Sequence, residues 1–320
     1  MSVRFRRGSV GKDNPQCSRR NVEAVKADLV PVHEMRLRLP SPVEEIVDDR
    51  LAHGGVRLLL KRDDLIHPEL PGNKWRKLKY NLAAAREADA STLLTFGGAY
   101  SNHIRATAAA GFYFGFDTIG VIRGEEHLPL NPTLTYAVER GMRLTYVDRT
   151  TYRDKVNPAF ISRLRSELGD FYLIPEGGSN REAVRGCAEI PAEIDQPFDV
   201  ICTPCGTGGT LAGISAGLHP GQLALGFSAL KGGSFLVDEV RALQAAYGEV
   251  TDNWSIETGF HFGGYARRNP ELDRFIEDFR DRHGLTLNWI YAAKMLAGIF
   301  ALVERGEFQP GTELVAVITG

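Results

Sequence analysis

Three glycine-containing loops hold most of the side chains in this 320-residue chain that are able to do chemistry. In the first, Pro71-Gly72-Asn73-Lys74-Trp75-Arg76-Lys77 leads into a run of helical period. Lys74 then falls in the first helical turn, near the positive end of the helix dipole. An ammonium is disfavoured there, and a second cation nearby lowers its proton affinity further. A lysine so placed is an amine nucleophile toward an aldehyde. The plainer reading is a solvated surface lysine, and spacing alone does not choose between Lys74 and Lys77. In the second loop, Gly97-Gly98-Ala99-Tyr100-Ser101-Asn102-His103 opens another helix. Ser101 or Asn102 can serve as a cap. The same donors can also form a cradle for a substrate carboxylate. His103 is either a ligand contact or a core residue, and no acid is spaced nearby to orient it as a triad base. The third loop, Cys205-Gly206-Thr207-Gly208-Gly209-Thr210, opens a helix whose free N–H groups suit a phosphate. Thr207 and Thr210 add hydroxyl donors. It is no Walker loop, because no Gly-Lys-Ser/Thr follows. Leu211 stands where a dinucleotide fingerprint needs its third glycine. A tight strand-to-helix turn is the plainer alternative.

The elements that must position these loops show in the hydrophobic pattern. Short apolar runs at 56–60, 92–96, 118–122, 143–147, 171–174, 200–203, 223–230 and 313–318 read as strands. Helical candidates lie between them at 73–88, 102–111, 158–168, 181–194, 211–218 and 292–304. Alternation of this kind implies an α/β fold with mainly parallel sheets covered by helices. Such sheets bind ligands beyond the carboxyl ends of their strands, where all three loops fall.

Composition narrows the function classes. Hydrophobic residues make up 43% of the chain and charged residues 24%, enough to bury a core. No apolar run is long enough to span a membrane as a helix. Residues 1–20 hold six basic residues and one acid, leaving 32 basic and 39 acidic residues, a net charge of −7, for the rest. A body of that sign argues against nucleic acid as a partner. The head reads as a disordered basic extension over 1–20, with an organelle transit peptide as the minority reading. Four cysteines are too few for a disulfide scaffold, and a reducing cytoplasm is expected. Cys202 and Cys205 have the spacing of a redox or zinc pair, but no second pair exists and no metal is expected. Two partly buried thiols at a strand end are the expectation.

Taken together, the loops resemble the pyridoxal-phosphate enzymes of the tryptophan-synthase β-like fold. Within them, the group of D-cysteine desulfhydrases and 1-aminocyclopropane-1-carboxylate deaminases is the nearest in pattern. The resemblance covers roughly residues 30–320. It rests on Lys61-Arg-Asp-Asp, Gly72-Asn-Lys74-x-Arg-Lys77, Gly97-Gly-x-x-Ser101-Asn-His103-x-Arg, Pro175-Glu-Gly-Gly-Ser179-Asn and Cys205-Gly-Thr-Gly-Gly-Thr210-x-Ala-Gly213. Gly264-Tyr265, Tyr291-x-x-Lys294 and Thr319-Gly320 complete it. The resemblance implies fold type II, with two open, mainly parallel twisted sheets. It also implies a large domain over 21–76 and 177–320, a small α/β domain over 77–176, and a homodimer.

For the site, the resemblance implies that Lys74 carries pyridoxal 5'-phosphate as a Schiff base and that Asn102 bonds its phenolic oxygen. Gly206, Thr207, Gly208, Gly209 and Thr210 hold the phosphate, and Thr319 sits at the pyridine nitrogen. Ser101, Asn102 and His103 receive the carboxylate of a small amino-acid substrate, and Tyr265 and Tyr291 flank its reacting carbons. Lys74, Ser101 and Tyr291 are the candidate catalytic residues. The reaction expected is β-elimination from D-cysteine or a related β-substituted D-amino acid, giving a 2-oxo acid and ammonia. Deamination of the cyclopropane amino acid is the alternative. That substrate has no Cα proton and needs a strong electron sink. Ala292 stands where the deaminases place a carboxylate after the second tyrosine, and His103 stands in place of their Gln. Tyr100, Trp75 and Ile318 depart from the desulfhydrase pattern at positions expected beside substrate and ring. A cofactor carrier with little turnover and a nucleotide-dependent enzyme are the readings from other classes.

Overall fold

The computed structural model describes residues 29–320. The basic head expected over 1–20 lies outside them. In chain order the elements begin with β1 (Val43–Ile46), α1 (Asp49–His53), β2 (Arg57–Lys61), α2 (Asn73–Glu87), β3 (Thr92–Gly98) and α3 (Asn102–Phe114). Next come β4 (Asp117–Arg123), α4 (Pro132–Glu139), β5 (Met142–Val147), α5 (Pro158–Leu168), β6 (Tyr172–Ile174) and α6 (Arg181–Cys187). The chain continues through β7 (Val200–Cys205), α7 (Gly209–Ala216), β8 (Leu223–Ser228), α8 (Leu236–Tyr247) and β9 (Trp254–Glu257). It closes with α9 (Pro270–His283), α10 (Ala292–Glu304) and β10 (Glu313–Val317).

Among the described residues ten strands form two sheets, as the alternation of runs and helices implied. The larger has the order β1-β2-β10-β7-β8-β9, and the smaller β5-β4-β3-β6. Every pairing is parallel except that of the edge strand β1 with β2. Central strands are apolar on both faces because helices cover both. In the large sheet, Leu58, Leu60, Cys202, Phe227, Leu314 and Ala316 pack on one side with Met295 and Ile299 of α10. Leu59, Ile201, Cys205, Val315 and Val317 pack on the other with Leu211 and Ile214 of α7.

This two-residue alternation settles the cysteine pair. Cys202 and Cys205 are three apart on β7 and belong to the cores on opposite faces of the sheet. Both are free and buried, and burial pushes both thiols up, Cys205 to about 12.

Some element limits differ from expectation. The helix expected over 181–194 stops at Cys187, and Pro191 opens a separate short turn, Pro191–Glu193. Proline has no N–H to continue the ladder. The run 223–230 leaves the sheet at Ser228, whose hydroxyl accepts from the Leu230 N–H at 3.2 Å and so starts a turn. Strands β1 and β9 have no strong apolar run (Val-Glu-Glu-Ile and Trp-Ser-Ile-Glu) and lie at the two edges of the large sheet.

Candidate active site

Lys74 is placed by the turn between β2 and α2. Gly72, at φ 62° and ψ −142°, precedes the first helical residue and donates its N–H to the Asp63 carbonyl at 2.9 Å. A Cβ at position 72 would lie 2.5 Å from the Gly320 nitrogen and 2.8 Å from the Thr319 Cα. Glycine here both adopts the left-handed backbone and lets the tail after β10 touch the start of α2. Thr319 is thereby held, buried, beside the lysine turn. No side chain caps α2, so its first N–H groups face the loop. Desolvation, and then the neighbouring Lys77, push the Lys74 amine down to about 7.

The structure separates the two lysines that spacing left open. The Lys77 ammonium donates to the Gly177 carbonyl at 3.1 Å and to the Ser179 hydroxyl at 3.0 Å. Ser179 Oγ lies 2.6 Å from Thr207 Oγ1, and Asn73 donates to Thr210 Oγ1 at 2.8 Å. Two distant segments, the start of α2 and residues 177–179, therefore converge on the turn between β7 and α7. Gly208 adopts φ 75° there, and a Cβ on Gly209 would sit 2.6 Å from Ser179 Oγ and 3.2 Å from Lys77 Nζ. Only a bare backbone fits, and its N–H groups open onto a cationic, hydroxyl-lined cradle at a helix N-terminus. That donor set suits a phosphate. Asn73, Lys77 and Ser179 are the contributors that sequence reasoning left out. The glycine pair Gly177-Gly178 was their available signal.

The second loop caps α3. Ser101 Oγ accepts from the N–H groups of His103 at 3.2 Å and Ile104 at 3.3 Å. The Asn102 amide donates to the Gly320 carbonyl at 3.4 Å, which ties this loop to the same tail that meets Gly72. His103 is 2% exposed. Its Nε2 lies 2.8 Å from Thr95 Oγ1, and that hydroxyl gives its one hydrogen to the Ile174 carbonyl at 2.8 Å. The imidazole is therefore the Nε2–H donor, and Nδ1 keeps a buried lone pair without a partner. Burial, then the charges of Lys74 and Lys77, hold His103 well below the ordinary histidine range. It stays neutral.

Tyr291 stands at the start of α10, with its hydroxyl and Cε1 about one van der Waals contact (3.4 Å) from a Cβ built on Gly206. Its ring meets that of Tyr265 edge-on, with centroids 6.0 Å apart. Burial, then Tyr265, raise the Tyr291 phenol well above its ordinary value, so it keeps its proton. Every candidate site residue thus falls in one connected cluster. Two positions expected beside substrate and ring do not join it. The Trp75 indole packs in the core against Phe114, ring centroids 5.8 Å apart. It is adjacent to Lys74 in sequence but lies on another face of α2. Ile318 packs with the core of the large sheet. Tyr100 is 70% exposed.

The family model described as pyridoxal-phosphate dependent enzyme matches residues 40–320. The chain belongs to this family. A bifunctional D-cysteine desulfhydrase/1-aminocyclopropane-1-carboxylate deaminase of Arabidopsis thaliana, mitochondrial, is 31% identical over 316 residues, covering 91% of this chain and 79% of its own. A putative 1-aminocyclopropane-1-carboxylate deaminase of Pyrococcus furiosus is 30% identical over 281 residues, covering 83% of this chain and 85% of its own. The solved structure of an ACC deaminase homologue superposes with a TM-score of 0.75 at 27% identity, covering 93% of this chain and 94% of that one. This pyridoxal-phosphate enzyme has a site that suits its cofactor. It has an amine of low proton affinity for the aldehyde, and the bare-backbone cradle with Lys77 for the phosphate. Among the described residues, no cluster of His, Cys, Asp or Glu is arranged to hold a metal.

Proposed function

We propose that this enzyme removes ammonia from a small amino acid by β-elimination, with D-cysteine or a related β-substituted D-amino acid as substrate. The balance is D-cysteine plus water to pyruvate, ammonia and hydrogen sulfide. The observation that carries the reading is the Lys74 amine, held at about 7 in the first turn of α2 and close enough to His103 of α3 for its charge to act there. A general base is most effective with a proton affinity near the working pH. When bound, pyridoxal phosphate supplies a sink for the electron pair left at Cα.

The chain's own groups do the rest. Gly206, Thr207, Gly208, Gly209 and Thr210, with Lys77, hold the phosphate. Asn102 would bond the phenolic oxygen, and the Thr319 hydroxyl would serve the pyridine nitrogen. Ser101, Asn102 and His103 would orient the substrate, with the Ser101 hydroxyl hydrogen and the Asn102 backbone N–H, which the cap does not use, taking its carboxylate. His103 contributes an acceptor through Nδ1. Lys74 takes the Cα proton. Tyr291, kept protonated, donates to the leaving sulfur, with Tyr265 beside it.

The smaller sheet falls within the proposed small domain of residues 77–176, and the larger within 21–76 and 177–320, with the site where they meet. The border at 76/77 falls inside α2. A homodimer in a reducing cytoplasm completes the proposal; the buried, unpaired Cys187, Cys202 and Cys205 fit that compartment.

A second reading, deamination of the cyclopropane amino acid, is favoured by the names of the relatives. The buried Ala292 directly after Tyr291 opposes it, because that position supplies no carboxylate to the ring nitrogen. The experiment is to incubate holoenzyme with D-cysteine, L-cysteine and 1-aminocyclopropane-1-carboxylate and to follow 2-oxo acid and sulfide. Pyruvate with equimolar sulfide from D-cysteine supports the proposal. 2-Oxobutyrate from the cyclopropane substrate alone replaces it with the second reading.

A further inference from the structure

Lys294 is 1% exposed, and no carboxylate among the described residues lies within ion-pair distance of it. Its ammonium has one hydrogen-bond acceptor, the Gly264 carbonyl at 2.7 Å. Desolvation alone pushes it down to about 8. A buried cation without a counter-charge costs stability, so its place in the fold calls for a physical reason. Lys294 lies three residues after Tyr291 on α10, one turn further along the same face. Gly264 directly precedes Tyr265. The ammonium therefore joins the helix that carries one tyrosine to the loop that carries the other.

Apart from this bond the loop is held by its own turn, with Gly264 N–H donating to the His261 carbonyl at 3.0 Å and Arg267 N–H to the Gly264 carbonyl at 3.1 Å, and by Phe262 against the core of the large sheet; Lys294 is the link from α10 to this turn. Phe262, Gly263, Gly264 and Ala266 all have positive φ, at 48°, 95°, 109° and 49°. At the non-glycine positions Phe262 and Ala266 such backbone persists only where its surroundings enforce it. Tyr265 is 42% exposed and belongs to no core cluster. Its ring nevertheless stands edge-on to Tyr291.

We propose that Lys294 is a positioning residue that pins the Tyr265 loop through the Gly264 carbonyl and so sets Tyr265 against Tyr291 across the substrate. The kinetic part rests on the reading above, in which the two tyrosines flank the reacting carbons. Lys294 then acts on the substrate side of the site and leaves the cofactor side alone.

The test compares holoenzymes of the parent, Lys294→Met, Tyr265→Ala and the double variant. For Lys294→Met, kcat/KM should fall at least about tenfold, with an unchanged cofactor absorption band. In the Tyr265→Ala background the same change should cost less than about twofold, since coupled residues are not additive. Gly264→Ala disturbs the same link without touching the ammonium, since its Cβ would meet Lys231 Cβ at 3.3 Å on φ 109° backbone. It should reproduce the kinetic defect, and it keeps the test alive if Lys294→Met fails to fold. A readout free of activity is trypsin cleavage after the exposed Arg267 and Arg268, which should speed up several-fold in Lys294→Met and Gly264→Ala. Losses that multiply fully across the two backgrounds, or unchanged cleavage in both single variants, would overturn the proposal. A parent that cleaves no tested amino acid defeats the functional reading instead, and the cleavage assay still decides the pin.

Discussion

Replacing Lys77 with methionine should raise the pH at which the Lys74 amine becomes reactive. The parent amine sits at about 7, pushed there first by desolvation and then by the Lys77 charge. At pH ~7.5 an amine of that affinity is ~75% unprotonated, against ~0.1% for an ordinary lysine at ~10.5. Burial and one neighbouring charge thus raise the free amine by about 750-fold. Lys77 lies one turn along the same helix, and a like charge at ~6 Å with an effective dielectric of ~20 is worth at most ~3 kcal/mol, or ~2 pH units. Desolvation is the larger cause, so removing Lys77 should move the midpoint up by about one unit. The assay treats apoenzyme with pyridoxal, which lacks the phosphate and so does not sense the loss of a phosphate contact. Borohydride trapping over a range of pH, read by mass spectrometry at Lys74, gives the midpoint. It is expected near 7 in the parent and near 8 in Lys77→Met, with no adduct at this position in Lys74→Ala. A parent midpoint near that of an ordinary lysine, or one unmoved by the Lys77 change, would refute the electrostatic argument.

Gly209→Ala places a Cβ 2.6 Å from Ser179 Oγ and 3.2 Å from Lys77 Nζ, and should weaken cofactor binding by at least about tenfold. Titration of the visible band checks this, and parental affinity would show that the cradle does not hold the phosphate. Burial works to raise the Glu193 carboxyl, but Arg76 and Lys61 outweigh it and hold it at about 2. A depressed carboxylate contributes stability above its unfolded value that is lost as pH falls through its folded one. The window here runs from about 4.5 down to about 2, and the loss is of order ~3 kcal/mol. Denaturant unfolding should show that acid limb in the parent, while Glu193→Gln should be less stable at neutral pH and flatter below it. An identical acid limb in the variant would assign the limb to other groups. Reducing agent should leave the thermal midpoint unchanged, because Cys202 and Cys205 lie on opposite faces of their sheet. A Cys202–Cys205 disulfide in the native protein would contradict that.

Much of this arrangement was legible because it is local. Strand, glycine turn and helix follow one another directly around Lys74, Ser101 and Gly206–Gly209, and the parallel order places all three turns at the carboxyl ends of strands. What spacing could not supply was side-chain direction. Trp75 is next to Lys74 in sequence, but successive helical residues are about 100° apart, and the indole turns into the core with Phe114. Lys77 and Ser179 meet only because two segments about a hundred residues apart arrive in register (|i−j| of 102). The partner of His103 depends likewise on the pairing of β3 with β6, which brings Thr95 opposite Ile174. Such contacts belong to tertiary pairing, and no short-range pattern encodes them.

The lowered affinity of Lys74 also explains why residues 74–77 of α2 can carry three cations. Lys74 and Lys77 share one face of the helix and have no carboxylate partner. Arg76, between them in sequence, points the other way and is neutralised outright. Its guanidinium donates to both Asp63 oxygens, at 2.6 and 2.8 Å, and to both Glu193 oxygens, each at 2.8 Å. Lys61, wholly buried at the end of β2, shares Glu193 at 2.9 Å. The Asp63 carbonyl meanwhile accepts the Gly72 N–H, so a single acid fixes both the turn before Lys74 and the arginine after it. Charge is thereby sorted by helix face. The paired cations, each satisfied by bidentate or shared carboxylates, bind the start of α2 to the large sheet. The unpaired ones are left on the other face, where Lys77 meets Gly177, Ser179 and Gly209, and burial first and the Lys77 charge second keep the Lys74 amine free to react. Had Asp63 or Glu193 faced Lys74 instead, the same residues would have raised its proton affinity and removed its use as a base.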